Sequence, residues 1–274
     1  MLKNQRRLFL LAVLMSPFCL SISGCVFSDA IKQSFTDSSH TKPGIMLWAW
    51  EAPSDLRFID PKQIGVAFLA ETITLRRDEI WTKPRLQPLK ITPETFLTPV
   101  IRIESSTKEK PTLSSAQLDR VVASVIKKSK LPGVRAVQID FDARVSEREF
   151  YRSLLKRLRT ELPPNIDLSM TALASWCIGD RWLRETSADE IVPMFFSMGA
   201  DSKQVANHLS AGREVDDFSK QKAIGLAENS LEFIQLISDS SKKDLLNGRR
   251  LYLFSARAWT KDSVDRLLRR VGTI

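Results

Sequence analysis

The stretch Val137-Gln138-Ile139-Asp140-Phe141-Asp142 alternates apolar and polar residues. In an extended strand that pattern sends Val137, Ile139 and Phe141 to one side and Gln138, Asp140 and Asp142 to the other. Two carboxylates on one strand face, two residues apart, sit about 6.6 Å from each other. If that face is enclosed, burial and mutual repulsion raise the pKa of one, leaving a protonated acid beside an ionised base. Such a pair is suited to general acid and base catalysis. The competing structural assignment pairs Asp140 with an arginine inside the fold and uses Asp142 to cap the next helix.

Further candidates close neighbouring β-rich runs. Glu51 ends WAWE, Glu71 ends FLAE, Glu104 ends VIRIE and Glu228 ends KAIGLAE. Arg102 shares a strand face with Glu104 by parity, and Arg257 and Trp259 finish the last run. One acid at a strand end is commonly a loop residue. Acids ending five runs, with Arg102 and Arg257 available as partners, form a pattern. Asp140, Asp142, Glu228 and Glu104 are therefore the catalytic candidates. Trp48, Trp50, Trp176 and Trp259 also fall late in runs, where flat rings suit stacking on the apolar faces of sugars. With Glu51, Glu71, Arg102 and Arg257 they are the substrate-binding candidates. Trp81 and Trp182 fall in loop or helical segments and carry no such argument.

Other residue types narrow the chemistry. The chain has two histidines, His40 and His208, far apart in different kinds of segment. That argues against a Ser-His-Asp or Cys-His nucleophile and against a His-rich zinc site. Cys177 has no base nearby in sequence and reads as a small buried residue. No Gly-rich phosphate loop follows the first strand, so no dinucleotide cofactor is expected. No metal is expected either. Carboxylate chemistry remains, and carboxylate pairs are the equipment of glycoside hydrolases.

These residues are carried by a repeating framework. β-rich runs occur at 45–50, 64–73, 96–104, 136–142, 167–176, 191–196, 222–228 and 250–259. Helical periodicity is clearest at Ser115–Lys130, Ser146–Leu162, Lys203–Leu209, Ser230–Leu246 and Lys261–Val271. Ser114 and Ser146 are candidate N-caps, each with Gln117 or Glu149 three residues on. Strand and helix alternating eight times over this length predict an α/β fold, a single (β/α)8 TIM barrel with its site at the C-terminal strand ends. Segments 51–63 and 74–94 hold Pro53, Pro61, Pro84, Pro88 and Pro93 and little convincing helix. Long loops there would shape one side of the barrel mouth.

The chain opens with Lys3, Arg6 and Arg7, then an apolar stretch from Leu8 to about Leu20. Ile22-Ser23-Gly24-Cys25 resembles the bacterial lipobox, whose cysteine is lipidated and becomes the new N-terminus. Residues 1–24 are thus read as a signal peptide, 25–43 as lipidated Cys25 with a polar tether, and 44–274 as the barrel. Removing the leader lowers the formal net charge from +9 to +6. Lys and Arg are scattered over apparent helix faces, a solvated surface with at most weak attraction to anionic lipid or polysaccharide. No groove-reading motif points to nucleic acid. Val26 lacks the aspartate that often marks inner-membrane retention, so the periplasmic face of an outer membrane is the expected location.

The stretches VQIDFDAR, FYRSLLKRLRTELP, LSMTALASWC, GDRWL and IVPMFFSMG, with IMLWAWE upstream, resemble the bacterial domain-of-unknown-function family 3142. The likeness covers most of residues 45–200 and implies a fold without a mechanism. A more distant likeness is to the fourth-strand motif of family 18 chitinases, Asp-x-x-Asp-x-Asp-x-Glu. The corresponding positions here are Val137, Asp140, Asp142 and Arg144. The two later aspartates match, and Arg144 stands where the proton-donating glutamate belongs. Barrel glycosidases with acids ending strands four and seven are another fit, pairing Asp142 or Asp140 with Glu228. The expectation is a glycoside hydrolase-like lipoprotein acting on envelope or environmental polysaccharide. The alternative is a catalytically silent barrel that binds glycan or an envelope protein.

Overall fold

The computed structural model describes residues 42–178, 180–211, 223–238 and 248–271. The residues read as a signal peptide, Cys25, most of the segment read as a tether, and His40 lie outside the described residues. The strands are β1 (Ile45–Ala49), β2 (Ser54–Asp55), β3 (Ile64–Arg76), β4 (Glu79–Pro84), β5 (Leu89–Lys90), β6 (Leu97–Ser105), β7 (Ala136–Phe141), β8 (Asp167–Leu173), β9 (Glu190–Met194), β10 (Ala223–Ala227) and β11 (Arg250–Phe254). Eight of them, β1, β3 and β6 to β11, pair in parallel in chain order. β1 closes the ring, with Ile45 opposite Leu251 of β11 on one side and Ile64 of β3 on the other. All eight runs read from the sequence are barrel strands, and the fold is a (β/α)8 barrel.

Alternation along the strands builds two cores. Val137, Ile139 and Phe141 pack outward among Val121, Val125, Tyr151, Leu154 and Leu155. Met46, Trp48, Ala67, Val100, Val192, Tyr252 and Phe254 fill the barrel interior. Burying each large apolar side chain stabilises the fold by about 1.5–3 kcal/mol. Gly65 sits where a Cβ would lie 2.6 Å from the Met46 sulfur and 3.0 Å from the Phe96 carbonyl oxygen, so the start of β3 has no room for a side chain there.

The helices are α1 (Ser115–Ser129), α2 (Arg148–Glu161), α3 (Ser202–Ser210), α4 (Leu231–Ser238) and α5 (Lys261–Val271). α1 begins as its sequence suggests. Ser114 Oγ accepts from Gln117 N at 3.3 Å, and Gln117 Oε1 accepts from Leu113 N at 3.0 Å. α2 buries Phe150, Tyr151, Leu154, Leu155 and Leu158, one face at helical spacing. Its start departs from expectation. Ser146 lies inside a short 3₁₀ turn, Val145–Glu147, and Glu147 rather than Glu149 reaches back, accepting from Arg144 N at 2.7 Å. Glu149 points outward to Arg152.

The first two βα units depart from the repeat. β3 runs on past the barrel and folds back as β4, antiparallel to it. The turn needs Arg77 in the left-handed region at φ 42°. Its carbonyl is held by Thr112 N at 2.8 Å and by the Gln117 side-chain amide at 3.3 Å. β2 and β5 then pair beside it. The segments read as loops are thus partly a β-hairpin.

Candidate active site

Register places Arg102 of β6 directly beside Asp140 of β7. The Arg102 guanidinium donates to Asp140 Oδ2 at 2.9 Å and to Glu104 Oε1 at 2.8 Å, and lies 3.9 Å from Asp142 Oδ2. Thr171 of β8 donates to Asp140 Oδ1 at 2.8 Å. Asp140 is 2% exposed. Burial pushes its carboxyl up to about 6; Arg102 opposes the shift and the nearby Asp142 adds to it. Asp142 is half-exposed, at 49% of its side chain. Partial withdrawal from water also raises its carboxyl, with Arg102 opposing and Glu104 adding to the effect. Asp140 is paired with a barrel arginine, as the structural assignment required. Asp142 caps no helix, since Glu147 holds the Arg144 amide.

Trp48 and Trp50 stand beside this cluster, ring centroids 5.3 Å apart. Trp48 packs edge-on to Phe254 at 4.0 Å and donates from Nε1 to Gln138 Oε1 at 3.0 Å. The Arg102 guanidinium lies 5.5 Å from the Trp50 ring centre. Arg85 clamps the end of β1 by donating to the carbonyls of Trp50, Ala49 and Ala52. Across the mouth, Glu228 follows β10. Its amide donates to Phe254 O at 2.9 Å, and its carboxylate accepts from Ser255 Oγ at 3.1 Å. Trp48, Trp50, Arg102, Asp140, Asp142, Glu228 and Arg257 all line one open cavity of about 770 Å³. Leu173, Met194, Phe196 and Phe254 supply its apolar wall.

Five expected site residues are placed elsewhere. Glu71 is 6% exposed and faces α1, where Ser124 donates to it and Lys128 lies 3.6 Å away. The cause is an irregularity between Leu69 and Glu71 that breaks the alternation of β3. Glu51 is exposed and bonds Lys83 at 3.0 Å. Glu104 braces Arg102 from outside the cavity lining. Trp176 lies past the end of β8 in a 3₁₀ turn, buried against Trp182 at 5.0 Å and near Arg148. Trp259 is 3% exposed in the outer core and donates from Nε1 to Trp48 O at 2.9 Å.

Sequence reasoning missed what lies beneath the cavity. Gln138 donates to Ser169 Oγ at 3.0 Å, and Ser169 donates to Glu190 Oε2 at 3.1 Å. Tyr252 OH and Arg250 Nη1 each donate to Glu190 at 2.7 Å. This buried chain fixes Trp48 through Gln138. The alternation in Asp167–Leu173, with Ser169 and Thr171 on one face, was the available signal. Cys177 is buried. Among the described residues no group of three or more His, Cys, Asp or Glu is placed to hold a metal. No described helix is long and apolar enough to cross a membrane.

Residues 96–186 match the family model DUF3142, a domain of unknown function. The DUF3142 match carries Arg102, Asp140, Asp142 and Thr171, the charged side of the mouth. No curated protein matches the chain. Among solved structures, the Bacillus cereus spore cortex-lytic enzyme SleL aligns with a TM-score of 0.50 at 14% identity, over 84% of this chain and 75% of that one. The catalytic domain of a family GH18 chitinase from the fern Peteris ryukyuensis aligns with a TM-score of 0.50 at 13% identity, over 83% of this chain and 98% of that one. At such identities the likeness is one of fold.

Proposed function

We propose that this barrel hydrolyses glycosidic bonds in an envelope or environmental polysaccharide, using carboxylates from opposite sides of its mouth. The observation that carries the reading is that Asp142, ending the fourth barrel strand, and Glu228, ending the seventh, line one open cavity beside Trp48 and Trp50. Asp142, with its raised pKa, donates its proton to the leaving-group oxygen as the bond from the anomeric carbon breaks. Glu228 either attacks that carbon or takes the proton of an attacking water. Asp140, held by Arg102 and Thr171, orients the cluster, while partial burial and the nearby Glu104 sustain the acid form of Asp142. Arg257 suits an acidic group on the sugar. The names of the two fold neighbours, a cortex-lytic enzyme and a chitinase, agree with this substrate class.

The chitinase mechanism itself is not carried over, because Arg144 occupies the position of its proton donor and is exposed. That departure supports a second reading, a silent barrel that binds glycan or an envelope protein through the same cavity. Turnover of a polysaccharide panel by wild type, Asp142→Asn and Glu228→Gln separates the two. Cleavage by wild type, reduced at least 100-fold in each variant, supports the enzyme. Binding by all three proteins with cleavage by none makes the barrel a binder.

The lipobox-like sequence supports anchoring through lipid on Cys25, on the periplasmic face of an outer membrane. Labelled palmitate should enter the wild-type chain and not Cys25→Ser, and the variant should leave the membrane fraction. Equal fractionation of both would remove this part of the proposal.

A further inference from the structure

The hairpin that replaces the second βα unit continues the sheet as a wall beyond the barrel rim, beside the strand that carries the cavity-lining Arg102. Along it, Thr72, Thr74 and Arg76 of β3 lie opposite Lys83, Trp81 and Glu79 of β4. On the other side, Thr72 and Thr74 lie opposite Arg102 and Glu104 of β6. The alternate residues Ile73 and Leu75 are fully buried, and Ile80 packs on the same outer core. Trp81, Lys83, Thr72 and Thr74 therefore share the face of Arg102, which lines the cavity. Strand geometry puts the Trp81 backbone roughly 12 Å from that of Arg102, two residues up and two strands across. That exceeds one sugar ring and lies within reach of an oligosaccharide.

Trp81 is the unusual residue on this wall. It is 58% exposed, yet its ring is held. The Arg76 guanidinium lies 3.6 Å from the ring centre, and Arg76, 18% exposed, is itself ion-paired with Glu109. One indole face is covered by a clamped cation, which fixes the orientation of the ring. A large aromatic side chain both exposed and immobilised presents stacking area at little entropic cost. The flanking Thr72 and Thr74 hydroxyls and the Lys83 ammonium can hydrogen-bond sugar hydroxyls.

We propose that Trp81 is a distal stacking site for an extended glycan whose other part occupies the cavity, so that the protein engages polymers in preference to disaccharides. This rests on the reading of the cavity as a glycan site. The test is isothermal titration of the full-length chain in detergent with disaccharides and hexasaccharides. The series are β-1,4-N-acetylglucosamine, β-1,6-N-acetylglucosamine, β-1,4-glucose and β-1,4-mannuronate. In the series that binds, Trp81→Ala should lower the ratio of hexasaccharide to disaccharide affinity about tenfold. Arg76→Leu, which frees the ring, should lower it about threefold, and Trp81→Phe should keep part of it. Trp50→Ala should weaken both lengths alike, which isolates the cavity from the wall. A ratio unchanged within twofold in Trp81→Ala overturns the distal site and leaves the cavity reading standing. A wild-type chain that binds no series at either length overturns both. Trp81 is a surface residue, so its variants should melt with wild type.

Discussion

The rim at β6 and β7 is crowded with charge, whereas the rim at β10 and β11 holds a carboxylate with few obligations. Arg102 engages Asp140 and Glu104 and reaches toward Asp142, and Thr171 completes Asp140. Across the mouth, among the described residues, Glu228 accepts one hydroxyl, from Ser255, beside an apolar wall. The same residue type is thus placed in two ways. On the crowded side each charge depends on its neighbours, so changes there reach stability as well as chemistry. On the sparse side a carboxylate is presented to the cavity with little structural duty.

The largest expected effect comes from breaking the crowded side at its centre. Arg102→Leu leaves Asp140 buried without its cation, and removing one partner of a buried pair is strongly destabilising. Because Arg102 is partly exposed and Asp140 can take up a proton, the expected loss is about 2–4 kcal/mol at pH 7.5. It should shrink markedly at pH 5. Denaturant titrations at the two pH values check this, and equal losses at both would mean that Asp140 is not the residue stranded.

Asp140→Asn sharpens the same point through pH. With a folded pKa raised to about 6, against about 3.9 for an unperturbed Asp, the native state binds the extra proton between those values. Its contribution to stability is full below about pH 4 and falls as pH rises through about 6, by about 3 kcal/mol in all. Asn keeps the shape without the titration, so the variant should lose that part of the slope. A slope identical to wild type would show that Asp140 titrates normally.

How legible this contrast was in the sequence depends on how far alternation runs unbroken. β7 keeps strict period two from Ala136 to Phe141, so the inward direction of Gln138 and Asp140 could be read. Arg102 and Glu104 kept parity and do touch. β3 does not: the irregularity between Leu69 and Glu71 turns Glu71 to the helix side, and no residue type announces it. Trp176 and Trp259 lie past the last paired residues of β8 and β11, where strand parity has no meaning. The hairpin was hidden because its turn uses Arg77-Asp78 rather than an Asn-Gly or Asp-Gly pair, with the left-handed residue held by contacts from distant Thr112 and Gln117. Glu190 was passed over because its run reads as starting one residue later.

Glu71→Gln tests the corrected placement. The amide can still accept from Ser124 but loses the attraction of Lys128. A loss of about 1 kcal/mol is expected, with glycan affinity unchanged. A change in affinity without a change in stability would return Glu71 to the mouth.

The smallest expected effect on stability is at Glu228, and its smallness is informative. Glu228→Gln keeps the acceptor for Ser255 Oγ and leaves the backbone bond to Phe254 intact. Among the described residues, none of its contacts requires a charge. Stability should therefore move by less than about 0.5 kcal/mol, as for a substitution away from any buried network. A carboxylate that the fold does not need, kept on a cavity wall opposite a raised-pKa acid, is accounted for by chemistry. If Glu228→Gln instead costs as much stability as the changes at Arg102, the two rims are alike and the sparse side loses its claim to the second catalytic group.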